Sequence, residues 1–150
     1  HGLLGRCTVI RDCDLRDADL SRSNLYRAMI TGDPPSSMAM TNVDLSGAIL
    51  VQAYVAADLA GAVLRGVNAA YSRFSQSNLH GADLTGAAMY QSTWVKVKCD
   101  GMRAAGLTGP LFADRCPGLL AALSDNGDAG LIHWVEDLGE LLAGQRKGST

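Results

Sequence analysis

Residues able to do chemistry are few in this chain, and their spacing does not assemble them. The histidines are His1, His80 and His133, and the cysteines are Cys7, Cys13, Cys99 and Cys116. There is no CxxC pair, and no cysteine or acid stands at a spacing from His80 or His133 specific enough to name a metal. Serines are plentiful, but none sits in a GxSxG turn. No Walker loop or GxGxxG is present to cradle a phosphate. The sequence therefore offers no catalytic set, no metal and no cofactor. An enzyme stays only as an alternative, with a site on an outer surface near His80, Tyr90 or His133.

Composition narrows the classes further. The net charge is -2 with acids and bases intermixed. That speaks against nonspecific nucleic-acid binding, which needs a basic surface, and against a strongly acidic duplex mimic. No apolar run reaches the length of a membrane span, and no signal peptide is apparent. Unpaired cysteines point to a reducing, cytoplasmic setting, with Cys13 expected as a buried free thiol. The chain starts at His1 rather than Met, which fits a piece of a longer protein.

What organises the chain is a five-residue period, seen most cleanly in Ala82-Asp83-Leu84-Thr85-Gly86. Large apolar centres recur at Ile10, Leu15, Leu20, Leu25 and Ile30, at Leu45, Leu50 and Val55, and at Leu59, Leu64, Ala69, Phe74, Leu79, Leu84, Met89 and Trp94. Two residues before each centre stands a small partner no larger than valine. Five is neither the helical period near 3.6 nor the strand period of 2. A chain that turns a corner every five residues would send each centre and partner inward, alternating large with small in a thin core. The remaining positions, rich in Asp, Asn, Ser, Gly and Arg, would turn corners or face water. Such self-similarity signals a solenoid.

The units Ala18-Asp19-Leu20, Ser23-Asn24-Leu25, Val43-Asp44-Leu45, Ala57-Asp58-Leu59, Ser77-Asn78-Leu79 and Ala82-Asp83-Leu84 resemble the pentapeptide-repeat family over about residues 6 to 100. The resemblance implies an all-β solenoid. Its form would be a right-handed quadrilateral β-helix of about five coils, stacked at roughly 4.8 Å, with a C-terminal α-helical appendage.

Three departures from the period are expected to matter. Residues 31–42 carry two prolines that cannot supply ladder N–H groups, so a loop should bulge there. Asp33, Pro34, Pro35, Met38 and Met40 are its candidate contact residues, the methionines as an adaptable surface. The period shortens by one between Val55 and Leu59, which places a local kink at Ala56-Ala57. After Cys99 the five-residue pattern ends. Residues 1–100 then form the β-helix, 101–116 a linker marked by Gly101, Gly106, Gly109 and Pro110, and 117–150 a helical cap or dimerisation module. Two helices are expected in that module, about Pro117 to Leu123 and about Ala129 to Ala143. Leu131, Trp134, Val135, Leu138 and Leu142 lie on the second, and Asp128 caps it.

If each coil holds about 20 residues, Val9, Met29, Ile49, Val51 and Tyr90 share one apolar face, a candidate contact stripe. The reading is thus a non-enzymatic protein-binding rod. Resemblance to family members that protect type II topoisomerases from quinolones or peptide toxins makes DNA gyrase the specific candidate partner, with a possible homodimer through the C-terminal helices. A generic scaffold or targeting domain is the alternative. No direct nucleic acid, membrane or cofactor is expected.

Overall fold

A computed structural model describes residues 8–138. Within it, every fourth unit runs straight enough to form a short parallel strand. These are β1 (Val9–Arg11), β2 (Met29–Thr31), β3 (Tyr54–Ala56), β4 (Arg73–Ser75), β5 (Ser92–Val95), β6 (Leu111–Asp114) and β7 (Ile132–Trp134). They stack in sequence order as one seven-stranded sheet, face 1 of the solenoid. The other three units of each coil meet their neighbours through single parallel bridges. Asp14, Ala39, Asp58, Asn78 and Lys98 form the column of face 2. Asp19, Asp44, Val63, Asp83 and Arg103 form face 3, and Asn24, Ile49, Asn68, Ala88 and Thr108 form face 4. Four columns and five closed coils make the four-sided β-helix that the family resemblance implies.

Residue type explains why one face differs from three. The centres under face 1 are Ile10, Ile30, Val55, Phe74 and Trp94, β-branched or aromatic residues that favour extended backbone. Leucine dominates elsewhere. On faces 2 to 4 the residue before the centre is Asp or Asn at positions 14, 19, 24, 44, 58, 68, 78 and 83. Each accepts a hydrogen bond from the backbone N–H two residues on, bending the chain into its corner. Face 1 carries no Asp or Asn at that position, and its strands stay extended.

The interior is lined by buried apolar side chains. Leu45, Leu50, Leu59, Leu64, Leu79 and Leu84 are at most 1% exposed, alternating with Ala48, Ala53, Ala62 and Ala82. Burying one leucine stabilises by about 1.5–3 kcal/mol, so the stacked column of leucines is the main cohesive element. Phe74 and Trp94 lie one above the other with ring centroids 5.3 Å apart, and the Trp94 Nε1–H donates to Ser92 Oγ.

Two of the three departures are corrected. The loop is confined to 32–37, including a 3-10 turn at Pro35–Ser37. Met38 and Met40 are fully buried, filling the partner and centre slots of face 2, while Ala39 bridges Asp14 and Asp58. Prolines end the pairing only locally, because Met38 regains the pattern at once. The kink is where the sequence places it. Ile30 pairs with Val55, 25 residues on, but Val55 pairs with Phe74, only 19 on. Ser77 Oγ fills the missing rung, accepting from the Ala57 N–H and donating to the Val55 carbonyl.

The supposed linker 101–116 is instead the end of the fifth coil and the start of a sixth turn. Arg103 bridges Asp83, Thr108 bridges Ala88, and β6 pairs with β5 along its length. The repeat persists with its sizes exchanged. Val97, Met102, Leu107 and Leu111 now take the partner slots, and Cys99, Ala104 and Ala113 take the centres. All are buried. Large lies over small and small over large, as Ala113 over Trp94 and Leu111 over Ser92. Both slots point inward, so a rod of constant cross-section accepts the exchange.

α1 (Leu119–Asn126) starts and ends two to three residues later than expected, and its Leu119 and Leu123 seal the end of the core. The second expected helix does not form over 129–134. Ala129–Leu131 is a 3-10 turn, with Asp128 accepting from the Gly130 N–H as its cap, and β7 follows it onto β6. The ladder outcompetes the helix here because the open edge of β6 offers backbone partners. Leu142 and residues 1–7 lie outside the described residues.

Candidate functional site

The contact stripe expected from a 20-residue coil is redistributed by the loop. Met29 pairs with Tyr54 rather than standing beside Ile49, so Val9, Met29 and Tyr54 form a column on face 1. Ile49 lies on face 4, and Val51 and Tyr90 sit at the corner between the two faces. The result is an apolar corner rather than an apolar face. Val9 is 55% exposed, Tyr71 52% and Tyr90 45%, with Met29 and Ile49 also exposed. Tyr71 and Tyr90 meet edge to face at 5.5 Å. Tyr26, at the same corner, donates its hydroxyl to Gln52 Oε1 at 3.3 Å.

Beside this corner runs a groove of about 470 Å³, lined on face 1 by Arg11, Met29, Thr31, Tyr54 and Arg73 and at the corner by Gln52, Ala53 and Tyr71. Sequence reading missed Arg11, Tyr54, Tyr71 and Arg73 as a set. A signal was present: at every fourth unit the residue before the centre is Val9, Met29, Tyr54, Arg73 or Thr93, never Asp or Asn. That column holds no Asx-bonded corner.

The remaining candidates fall apart from one another. Asp33 and Pro34 are exposed on the loop, and the Asp33 N–H donates to Asp12 Oδ1. Bonds from the Ser37 hydroxyl and the Asp33 N–H hold the Asp12 carboxyl below its ordinary pKa. Leu131 and Ile132 pack partly buried against the core, whereas Trp134 is exposed on β7. Val135 is half-buried, its N–H bonded to the Ala113 carbonyl, and Leu138 is buried with its N–H donating to Asp114 Oδ2. The line from Leu131 through Val135 to Leu138 is therefore not one helix face.

His80 lies at the corner between faces 2 and 3, its N–H bonded to Asn78. His133 lies on β7 beside Phe112, centroids 5.5 Å apart. Neither is near Tyr90 in the coil order. Among the described residues no group of three His, Cys, Asp or Glu could hold a metal ion, and no helix is long and apolar enough to cross a membrane. Cys13, in the first described coil, is exposed rather than buried. Cys99 and Cys116 are buried, and desolvation raises both thiols.

No curated protein matches the chain in sequence. Among solved structures, a pentapeptide repeat protein (Rfr23) from the cyanobacterium Cyanothece 51142 is 28% identical over 64% of this chain and 59% of its own, with a TM-score of 0.46. HetL, a pentapeptide repeat protein involved in heterocyst differentiation regulation from Nostoc sp. strain PCC 7120, is 19% identical over 73% of this chain and 46% of its own, at a TM-score of 0.45. Full-length QnrB1, a plasmid-mediated fluoroquinolone resistance protein, is 15% identical over 93% of this chain and 87% of its own, at a TM-score of 0.33. The chain thus spans less than two thirds of the first two. The sequence profile of pentapeptide repeats matches eight copies, over residues 8–32 and 57–93. With that profile and a backbone that returns to the same face every fourth unit, the chain belongs to the pentapeptide-repeat family.

Proposed function

We propose that this chain is a non-enzymatic protein-binding rod that makes contact through the corner between faces 4 and 1. The observation that carries the reading is the row of exposed Val9, Met29, Ile49, Tyr71 and Tyr90 on a scaffold whose inward positions are buried. Apolar and aromatic residues clustered on a rigid surface are what protein partners bury. The buried side chains point into the core, so the outward positions are the ones that a partner can reach. Free thiols fit a cytoplasmic setting.

The specific partner in this reading is a type II DNA topoisomerase such as gyrase, shielded from a quinolone or a peptide toxin, as in the family members this sequence resembles. Asp33, Pro34 and Pro35 of the loop would add to the contact, and exposed Trp134 on β7 would serve a homodimer. The charge of -2 and five closed coils provide less acidity and length than a duplex mimic would use, so the apolar corner rather than charge mimicry carries the contact.

A supercoiling and cleavage assay with gyrase, quinolone and a titration of this protein tests the partner. Rescue at near-stoichiometric protein is the expected result. No rescue at large excess would remove gyrase and leave a generic interaction scaffold. Ile49→Asp with Tyr90→Asp is expected to abolish partner binding with unchanged circular dichroism, and retained binding would reject the corner itself.

A further inference from the structure

We propose that the underside of the first coil, below Ile10, Leu15 and Leu20, is the docking site for a second copy of this chain, underside against underside. This contact is separate from the apolar corner and from Trp134 on β7.

Three observations lead to it. The first is burial. Ile10, Leu15 and Leu20 are the first centres of the rod, yet they are only partly buried. Ile30, Met40 and Leu45, the centres stacked directly above them, are at most 1% exposed. The partner slots show the same step. Cys13 is exposed and Ala18 partly buried, whereas Met38 and Val43 one coil up are fully buried. Association removes apolar surface of this kind from water.

The second is the backbone edge. On faces 2 to 4, the residue before a centre spends its N–H and its carbonyl on the coil beneath. Asp44 donates to the Ala18 carbonyl and accepts from the Leu20 N–H. Asp58 does the same with Met38 and Met40, and Ile49 with Ser23 and Leu25. In the first coil Asp14, Asp19 and Asn24 hold that position, and their backbone N–H and carbonyl groups find no partner among the described residues. An open ladder edge is a template for another strand.

The third is what can fill the edge. Seven residues of the chain precede Thr8, enough at five to a side for one side of a further coil and not for four. A second copy supplies all the sides and fits by symmetry. A two-fold axis across the rod reverses strand direction, so the two edges meet antiparallel, where opposed residues exchange both N–H···O bonds. Asp14, Asp19 and Asn24 recur at equal spacing, so the row presents the same groups in either direction. At the other end Leu119 and Leu123 of α1 lie fully buried over the core. That blocks head-to-tail stacking, so the contact closes at two copies.

Sedimentation equilibrium of the whole reduced chain tests this. A dimer is expected at about 100 µM, dissociating on dilution toward about 1 µM. Cys13→Lys puts a charge into the exposed slot and should weaken association about tenfold or more, with unchanged circular dichroism. Leu20→Lys should act in the same direction. Leu20 also packs against the core, so Cys13→Lys is the variant that decides. Ile49→Asp and Trp134→Asp should leave the dimer intact. Alkylation of Cys13 by iodoacetamide, read by peptide mass spectrometry, should be about fivefold or more slower in the dimer than in the monomer.

A monomer up to the highest concentration overturns the proposal and leaves the apolar corner standing. A dimer that survives Cys13→Lys but is lost with Ile49→Asp or Trp134→Asp also overturns it, and moves the pairing to the corner or to β7. Equal alkylation of Cys13 in dimer and monomer would exclude the underside as well.

Discussion

Face 1 and the other three faces solve the same problem with different chemistry. All must turn a corner every five residues and send two side chains inward. Faces 2 to 4 do it with leucine inside and, at most positions, an Asp or Asn that bonds the N–H two residues on. Face 1 does it with Ile, Val, Phe and Trp inside and ordinary strand pairing. The difference separates structural duty from freedom. An Asp that holds a corner is not available for a partner, whereas Met29 and Tyr54 hold no corner.

The largest test of that contrast is in the core. Trp94→Ala should cost about 3–5 kcal/mol, since its neighbours Phe74 and Ala113 cannot close the space. Leu84→Ala on face 3 should cost about 2–4 kcal/mol. Denaturant unfolding followed by circular dichroism measures both, and a greater loss at Leu84 would reverse the ranking of the two faces.

Next comes the size exchange in the fifth coil. Met102→Ala should cost about 2–4 kcal/mol and Ala104→Leu about 1–3 kcal/mol when made singly. Together they restore the small-then-large order of the lower coils, and the pair should recover about 1–3 kcal/mol relative to the sum. Simple additivity would show that the two slots do not share one layer.

A smaller effect probes the corners. Asp83→Ala removes the acceptor of the Thr85 N–H and hydroxyl and the partner of Arg65. It should cost about 1 kcal/mol, against no more than about 0.5 kcal/mol for Thr93→Ala in the equivalent column of face 1.

Acid should act on the same faces. The Arg16 side chain and N–H hold the Asp14 carboxyl down to about 2, and the Ser21 hydroxyl and N–H lower Asp19. Burial raises Asp83, but bonds from Thr85 and Arg65 outweigh it. These folded values lie below the unfolded value near about 3.9. Their contribution is therefore present above pH ~4 and lost as pH falls toward ~2. Hydrogen exchange should show the amides of Arg16, Ser21 and Thr85 losing protection over that window before those of β2 to β5. Simultaneous loss would erase the distinction between the faces.

The smallest effect is at Ser72, whose buried hydroxyl finds no partner among the described residues. Ser72→Ala should stabilise by up to about 1 kcal/mol, read as a higher midpoint in thermal unfolding. A loss of stability would mean that the hydroxyl is bonded after all.

By itself the sequence determined the architecture from residue 8 to Trp94. A centre every five residues with a small partner two before it admits a coil with two inward slots per side, and neither helix nor plain strand. It also located the kink at Ala56-Ala57, because one missing residue shifts every later centre. The tertiary structure decided what depends on stacking. Met38 and Met40 turn inward because the coils above and below leave slots for them, which no local pattern records. Residues 97 to 113 continue the rod because volume is matched between layers, so a large residue over a small one satisfies the core in either order. Residues 132–134 become a strand because β6 leaves an open ladder above the last coil, outweighing a helical spacing of leucines. The groove of Arg11, Met29, Tyr54, Tyr71 and Arg73 exists only when the loop's extra residues bring Tyr54, rather than Ile49, onto Met29.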